Sequence, residues 1–166
     1  MIDTIRDYIA QCFSRESREA ARAEAFALLA EKEGHIQLAR VFRVLAEAKS
    51  VHAKRFGHLM RGKIATTEEN LREALDSEAK NAEDYAAMAR EVKQSDASLA
   101  VQKGFIQTRK TTEEAVGLLR AAVEDRESEI SAGYCVCRIC GHIHAGEIPS
   151  NCPVCGAVPG RFVKIP

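Results

Sequence analysis

Apolar residues recur at steps of three and four from residue 1 to about residue 128, the spacing that places them on one face of an α-helix. No proline occurs in this stretch, so nothing in it forces a helix to break. Four helices are predicted. The first covers about 3–32 and stops before Gly34, and the second covers about 35–61. The third starts at the capping box Thr66-x-x-Glu69 and runs to about 94, and the fourth runs from a cap at Ser95 or Asp96 to about 127.

The pattern changes after Glu127, because all four prolines and half of the ten glycines lie between Gly133 and Pro166. Such a short, turn-rich module has too small an apolar core and needs a cross-link to be stable. The predicted organisation is a four-helix bundle over 1–128, a linker over 129–133 and a small module over 134–166. The expected fold class is therefore an all-α four-helix bundle with a small β- and turn-rich domain.

Composition excludes several classes of function. The 24 Lys and Arg residues balance 24 Asp and Glu residues, which argues against a nucleic-acid partner. No apolar run approaches the roughly 18 residues of a membrane span, and residues 1–10 lack the apolar core of a signal peptide. We expect a cytoplasmic protein that binds neither membranes nor nucleic acid.

The strongest chemical signal is a pair of C-x-x-C motifs. Cys137-Arg-Ile-Cys140 is followed, after eleven residues, by Cys152-Pro-Val-Cys155, and a glycine comes directly after each motif. Two such motifs supply four thiolates to one tetrahedral metal site. Iron and zinc both accept four sulfur ligands, so the spacing does not determine which of the two metals binds. Cys135 is predicted to be a strand thiol outside the site.

Two histidines follow the first motif directly. His142 and His144 are predicted to be exposed turn residues and not ligands, because four thiolates already complete a tetrahedral shell.

Charged residues interrupt the apolar stripe of every predicted helix. These residues are Glu16, Lys49, His52, Glu78, Lys110 and Glu113. They repeat, since Glu16 precedes Lys49-x-x-His52 by 33 residues and Glu78 precedes Lys110-x-x-Glu113 by 32. A Glu on one helix and a pair spaced by three on the next is the arrangement by which ferritin-like bundles bind two metals. The alternative is that the helices are rotated and these are surface charges.

The whole chain resembles the rubrerythrin family, in which a ferritin-like bundle precedes a rubredoxin-like iron module. The resemblance is carried by Glu16-Ser17, Glu33-Gly34, His52-Ala53-Lys54-Arg55, Thr67-Glu68-Glu69-Asn70-Leu71 and the cysteine motifs with Cys140-Gly141-His142-Ile143-His144 between them. It implies peroxide reduction at a di-iron centre in the bundle. Electrons would arrive through an Fe(Cys)₄ site, ultimately from a reduced pyridine nucleotide by way of a partner reductase.

The family's bundle ligands are only partly present. Glu16, His52 and Glu78 match family ligands and are the candidate catalytic residues. The departures are Lys49 and Lys110 at the positions of bridging glutamates, Asn81 in place of another carboxylate, and Glu113 at the position of a histidine.

Charge decides what these departures mean. A bridging carboxylate neutralises two cations, whereas a lysine ammonium repels them. Three glutamates against two lysines leave the cluster at −1, so two divalent ions would make it strongly positive. We therefore expect one iron in the Cys₄ site, with zinc possible, and no standard di-iron centre; ligation by a neutral lysine is the alternative.

The short connection between the second and third helices predicts a dimer. If His52 and Glu78 lie at the same height, helices two and three of one chain would run parallel, with about 30 Å between their ends. The few residues between them span at most roughly 20 Å. A homodimer that swaps helical hairpins removes the conflict, and the alternative is fraying or rotation of the helix ends.

Three functions remain open at this point. The first is electron transfer through Fe(Cys)₄ with a degenerate di-iron site. The second is a peroxide-reducing oxidoreductase with a non-standard dinuclear site. Because the sequence does not choose between this function and the other two, it does not decide whether the protein reduces peroxide. The third is a zinc-stabilised structural or sensing dimer.

Overall fold

The computed structural model describes residues 2–60, 64–124 and 133–165. The chain divides into two compact units, residues 1–66 and residues 67–166. Among the described residues, no helix combines the length and apolar character needed to cross a membrane.

The first unit is a helical hairpin of α1 (Ile2–Lys32) and α2 (Ile36–Leu59). Gly34 ends α1 with a positive φ of 83°, a conformation that glycine adopts without strain. The N–H of His35 donates to the carbonyl of Ala30 at 2.8 Å and the N–H of Gly34 donates to the carbonyl of Glu31 at 3.1 Å. These bonds satisfy the last carbonyls of α1, and they confirm the predicted stop before Gly34.

Small residues form the contact between α1 and α2. Its buried members are Ala23, Ala27, Ala30, Ala39, Ala46, Ala53 and Gly57. A Cβ atom at Gly57 would lie 3.4 Å from the ring of Phe13, so the absence of a side chain leaves room for that ring. Large apolar residues of α2 stay outside this contact, with Leu38, Val41 and Leu45 exposed by 53%, 62% and 44%. The α1–α2 contact by itself therefore leaves one face of the hairpin apolar and uncovered.

The second unit begins with α3 (Thr67–Gln94) and α4 (Leu99–Glu124). The third helix starts directly after Thr66, as predicted. The prediction that Ser95 or Asp96 caps α4 is wrong, because Ser98 occupies that position and accepts a hydrogen bond from the N–H of Val101 at 3.4 Å. Ser95 instead closes α3, since its hydroxyl donates to the carbonyl of Val92 at 2.8 Å.

The unit ends in a small antiparallel sheet of β1 (Tyr134–Cys137), β2 (Ile143–Ala145) and β3 (Phe162–Ile165), in the order β2-β1-β3. A 3₁₀ turn at Pro159–Arg161 precedes β3. The buried core of the sheet consists of Cys135, Cys137, Cys152 and Phe162, so sulfur supplies much of it. A core this small needs a cross-link to be stable.

Four helices followed by a small sheet with a cysteine cluster confirm the predicted fold class. The predicted end of the fourth helix near 127 and most of the predicted linker lie outside the described residues. The division into domains over 1–128 and 134–166 therefore stays a prediction.

Candidate metal centre

The four cysteines of the two C-x-x-C motifs converge. The Sγ atoms of Cys137, Cys140, Cys152 and Cys155 all lie within 4.8 Å of one another. Cys137 and Cys155 are 3.7 Å apart and Cys140 and Cys152 are 3.6 Å apart, measured between Sγ atoms. Cys137 and Cys152 are buried, whereas Cys140 and Cys155 are half-buried at the edge of the module.

Each motif folds into the same tight loop. The N–H of Gly141 donates to the carbonyl of Cys137 at 2.9 Å, and the N–H of Gly156 donates to the carbonyl of Cys152 at 2.8 Å. Both glycines have positive φ, 81° and 76°, which explains why glycine follows each motif. The two loops thus present their thiols to each other in equivalent ways.

Backbone N–H groups point at the sulfur atoms. Burial raises the pKa of the Cys140 thiol, and the N–H of His142, which donates to its Sγ, opposes that rise. Burial also raises the pKa of Cys155, against a hydrogen bond from the N–H of Ala157. At Cys152 burial alone would raise the pKa, but the N–H groups of Cys155 and Val154, together with the thiols of Cys140 and Cys155, lower it to about 7. Donors of this kind stabilise thiolates, the form that binds metal.

The distances fit a tetrahedral metal ion. A tetrahedron with metal–sulfur bonds of about 2.3 Å has sulfur–sulfur edges of about 3.8 Å. The observed distances of 3.7 and 3.6 Å match these edges. Cys137, Cys140, Cys152 and Cys155 are therefore suited to one iron or zinc ion. Cys135 lies on β1, fully buried, as predicted for a strand thiol.

The prediction that His142 is an exposed turn residue is wrong. Its side chain is 9% exposed, and its Nδ1–H donates to Oε2 of Glu114 on α4 at 2.8 Å. The N–H of Ile143 donates to the same oxygen at 3.3 Å. His144, predicted to lie in the same turn, is half-buried in β2. The sequence held no signal for this contact, because Glu114 is 28 residues away and lies outside the repeat of charged residues.

Three of the predicted bundle residues meet in the first hairpin. Nζ of Lys49 lies 3.1 and 3.0 Å from Oε1 and Oε2 of Glu16, and Nδ1 of His52 lies 3.0 Å from Oε2. The Glu16 side chain is 13% exposed, against 54% for His52. The hydrogen bonds from Lys49, and then from His52, lower the pKa of Glu16. An ionised carboxylate is thus already paired with a lysine ammonium.

The corresponding residues of the second hairpin are arranged differently. Nδ2 of Asn81 donates to Oε1 of Glu78 at 3.2 Å. Lys110 and Glu113 are exposed, and Glu113 pairs with Arg109 at 2.8 Å. The adjacent Thr111 and Thr112 are buried instead. The predicted inward orientation of Lys110 and Glu113 is therefore not found in this hairpin.

Comparison with known proteins agrees with the four-cysteine site. Residues 136–163 match the family model "Rubrerythrin, rubredoxin-like domain". The chain is 31% identical to the rubrerythrin of Porphyromonas gingivalis, in an alignment that covers 93% of this chain and 86% of that protein.

Solved structures of nigerythrin share the fold. A mixed-valence state superimposes with a TM-score of 0.54 at 23% identity, and the fully reduced, all-ferrous state gives 0.53 at 22%. Both alignments cover 96% of this chain and 86% of the nigerythrin chain.

Fold and site together define a helical protein with a C-terminal rubredoxin-like metal module. The chain belongs to the rubrerythrin family. The family and the four cysteines support a metal-binding redox protein.

Proposed function

We propose that this protein transfers electrons through one iron ion bound by Cys137, Cys140, Cys152 and Cys155, and that the di-iron site of its family is degenerate in this chain. The observation that carries the proposal is the contrast between two sites. The four thiols are placed for a metal ion, whereas a lysine pairs with the carboxylate that would be a bundle ligand.

The partial exposure of the thiol cluster supports electron exchange at a surface. When bound, iron supplies a one-electron couple, which zinc lacks. Cys140 and Cys155 are half-buried, and Ile139 and Val158, one and three residues away in the sequence, are each 58% exposed. An apolar rim beside two ligands gives a donor protein a surface close to the metal. We propose a reductase as that donor, by analogy with the family.

The Lys49–Glu16 pair opposes a standard di-iron centre. Both oxygens of Glu16 accept hydrogen bonds from Lys49, so the carboxylate is neutralised without a metal ion. A divalent ion would have to displace an ammonium that lies within 3.1 Å of both oxygens, and the displaced charge would repel it. The bundle also has few negatively charged ligands for two metal ions, because carboxylates of the family are replaced by Lys49, Lys110 and Asn81. Roles for Glu16, His52 and Glu78 in peroxide reduction belong to the alternative function.

The uncovered apolar face of the first hairpin supports a homodimer. In a four-helix bundle with exchanged hairpins, Leu38, Val41 and Leu45 would be covered by α3 and α4 of a second chain. We propose that two chains exchange hairpins, because the residues between α2 and α3 are too few to return along a bundle in which His52 and Glu78 lie at the same height.

Optical spectroscopy of the iron-loaded full-length protein tests the proposal. We expect a coloured oxidised form that is bleached by one electron per chain and recovers on oxidation. Cys152→Ser should abolish the colour, and Cys135→Ser should keep it. Peroxide consumption should be slow and equal in the wild type, Glu16→Ala and His52→Ala.

Two outcomes would contradict the proposal. Rapid peroxide consumption that is lost in Glu16→Ala would establish the peroxide reductase with an unusual bundle site. A colourless protein that binds only zinc in its thiol cluster would leave the structural dimer.

A further inference from the structure

The metal module contacts helix α4 through a residue that is not a ligand. Oε2 of Glu114 accepts a hydrogen bond from Nδ1–H of His142 at 2.8 Å and a second from the N–H of Ile143 at 3.3 Å. The His142 side chain is 9% exposed and that of Glu114 is 32% exposed. A charged acceptor that is partly shielded from water makes hydrogen bonds stronger than those between neutral groups.

This contact lies directly beside the first cysteine loop. The carbonyl of His142 accepts a hydrogen bond from the N–H of Cys137 at 2.9 Å, and the N–H of His142 is directed at Sγ of Cys140. One residue therefore joins two ligands to Glu114. One turn earlier on α4, Oγ1 of Thr111 lies 3.8 Å from the position that a Cβ atom of Gly141 would occupy. A single turn of α4 therefore lies close to the loop at Gly141 and is hydrogen-bonded next to it, at His142.

We infer that Glu114 is a positioning residue for the four-cysteine site: by fixing His142, it keeps the N–H of that residue directed at Sγ of Cys140. Helix α4 thereby sets how firmly the module retains its metal. Where the metal is iron, which rests on the proposed function, it also sets the reduction potential.

The direction of each effect follows from charge. A hydrogen bond to a metal-bound sulfur stabilises the more negative, reduced centre and so raises the potential. Loss of the bond should lower the potential and loosen the loop. Loss of the Glu114 charge by itself should raise the potential, so the two contributions need separate variants.

Glu114→Gln and Glu114→Ala separate the contributions. Glutamine keeps a carbonyl oxygen that can accept both hydrogen bonds but carries no charge, whereas alanine removes acceptor and charge together. Glu91→Ala, at an exposed glutamate of α3, is the control for loss of a carboxylate elsewhere in the same unit.

The first measurement is the rate at which the zinc-loaded full-length protein loses zinc to a chelator. We expect Glu114→Ala to release zinc roughly tenfold faster than the wild type, the size expected for losing a charge-assisted hydrogen bond. Glu114→Gln should fall between the wild type and Glu114→Ala, because its neutral oxygen accepts weaker hydrogen bonds, and Glu91→Ala should equal the wild type. The second measurement is the potential of the iron-loaded protein, which should be lower in Glu114→Ala than in Glu114→Gln.

His142→Phe gives the same test from the other side of the contact. Phenylalanine keeps a ring and a backbone N–H but cannot donate to Glu114. It should release zinc as fast as Glu114→Ala, and the double variant should be no faster than either single one. If Glu114→Ala fails to fold, the rate of zinc release from His142→Phe tests the inference by itself.

Release at the wild-type rate in Glu114→Ala or His142→Phe, or equal potentials in the alanine and glutamine variants, would overturn the inference. A protein that binds only zinc would overturn the electron-transfer proposal but not this inference, because the release rates would still decide it.

Discussion

Lys49 and Glu16 form a two-point ion pair across the first hairpin, with Nζ 3.1 and 3.0 Å from the two carboxylate oxygens. In the rubrerythrin family, as the resemblance implies, these positions hold two carboxylates that bind iron. If Lys49 and Glu16 occupy those positions, as we propose, a cation has replaced one of the two carboxylates and pairs with the other. This pair is the observation on which we base the proposal that metal binds at the thiol site and not in the bundle.

Lys49→Glu should therefore restore metal binding to the helical region. The change replaces the cation with a second carboxylate beside Glu16 and His52, so negative charge would gather where a divalent ion can neutralise it. We expect extra bound iron or manganese per chain by elemental analysis after dialysis, relative to the wild type.

Lys54→Glu is the matched control, because Lys54 is an exposed lysine of the same helix. It should bind no more metal than the wild type. A Lys49→Glu protein that folds and gains no metal would show that Lys49 does not exclude the ion.

The titration of Glu16 should report the ion pair directly. Hydrogen bonds from Lys49 and His52 lower the pKa of Glu16 from its ordinary 4.5. A carboxyl with a lowered pKa in the folded state stabilises the fold above its unfolded pKa, and this contribution is lost as pH falls through the folded pKa. Carboxyl-carbon NMR should show the pKa rising in Lys49→Met, and by less in His52→Asn. Equal pKa values in Lys49→Met and the wild type would contradict the pairing in solution.

Metal binding by the thiol site should strengthen steeply as pH rises through neutrality. The pKa of Cys152 is lowered to about 7, whereas burial raises those of Cys140 and Cys155. A metal ion must displace the protons that remain, so affinity falls as they accumulate at lower pH. Zinc titrations of the apoprotein in two buffers of different ionisation enthalpy, at pH 6, 7 and 8, should show more protons released per zinc at the lower pH values. Proton release that does not vary with pH would contradict these thiol pKa values.

The positive φ at residue 156 should make glycine more stable there than any residue with a side chain. Its φ is +76°, and a Cβ atom there would meet nothing within 4 Å, so Gly156→Ala tests the positive φ without a steric clash. We expect a loss of about 1 to 2 kcal/mol in the stability of the metal-bound module.

Gly160→Ala is the control, because Gly160 also has open space and no positive φ. Thermal unfolding should place it within about 1 kcal/mol of the wild type, on the stabilising side if at all. Equal unfolding temperatures for the two variants would contradict a conformational role for Gly156.

The sequence predicted features that depend on short spacing. Helical periodicity and Gly34 placed the first helix, and two C-x-x-C motifs placed four sulfur atoms that the structure brings within 4.8 Å. The 33-residue separation of Glu16 and Lys49 also proved to be a contact, because two antiparallel helices joined by a short turn fix which residues meet.

Features that depend on packing between elements were missed. His142 was expected in solvent, yet Glu114 of α4 binds it, and no local pattern encodes that partnership. The register of α4 was inferred from a repeat, and the buried residue is Thr111 in place of Lys110. A rotation of one residue, about 100°, is enough to exchange the faces of a helix, and periodicity does not fix it when polar residues lie on both sides.

Counting metal ions tests the central claim most directly. Elemental analysis of the purified full-length protein should find one iron per chain, lost in Cys152→Ser and retained in Glu16→Ala. About three irons per chain, two of them lost in Glu16→Ala, would show that the bundle binds a dinuclear centre despite Lys49 and would contradict the account.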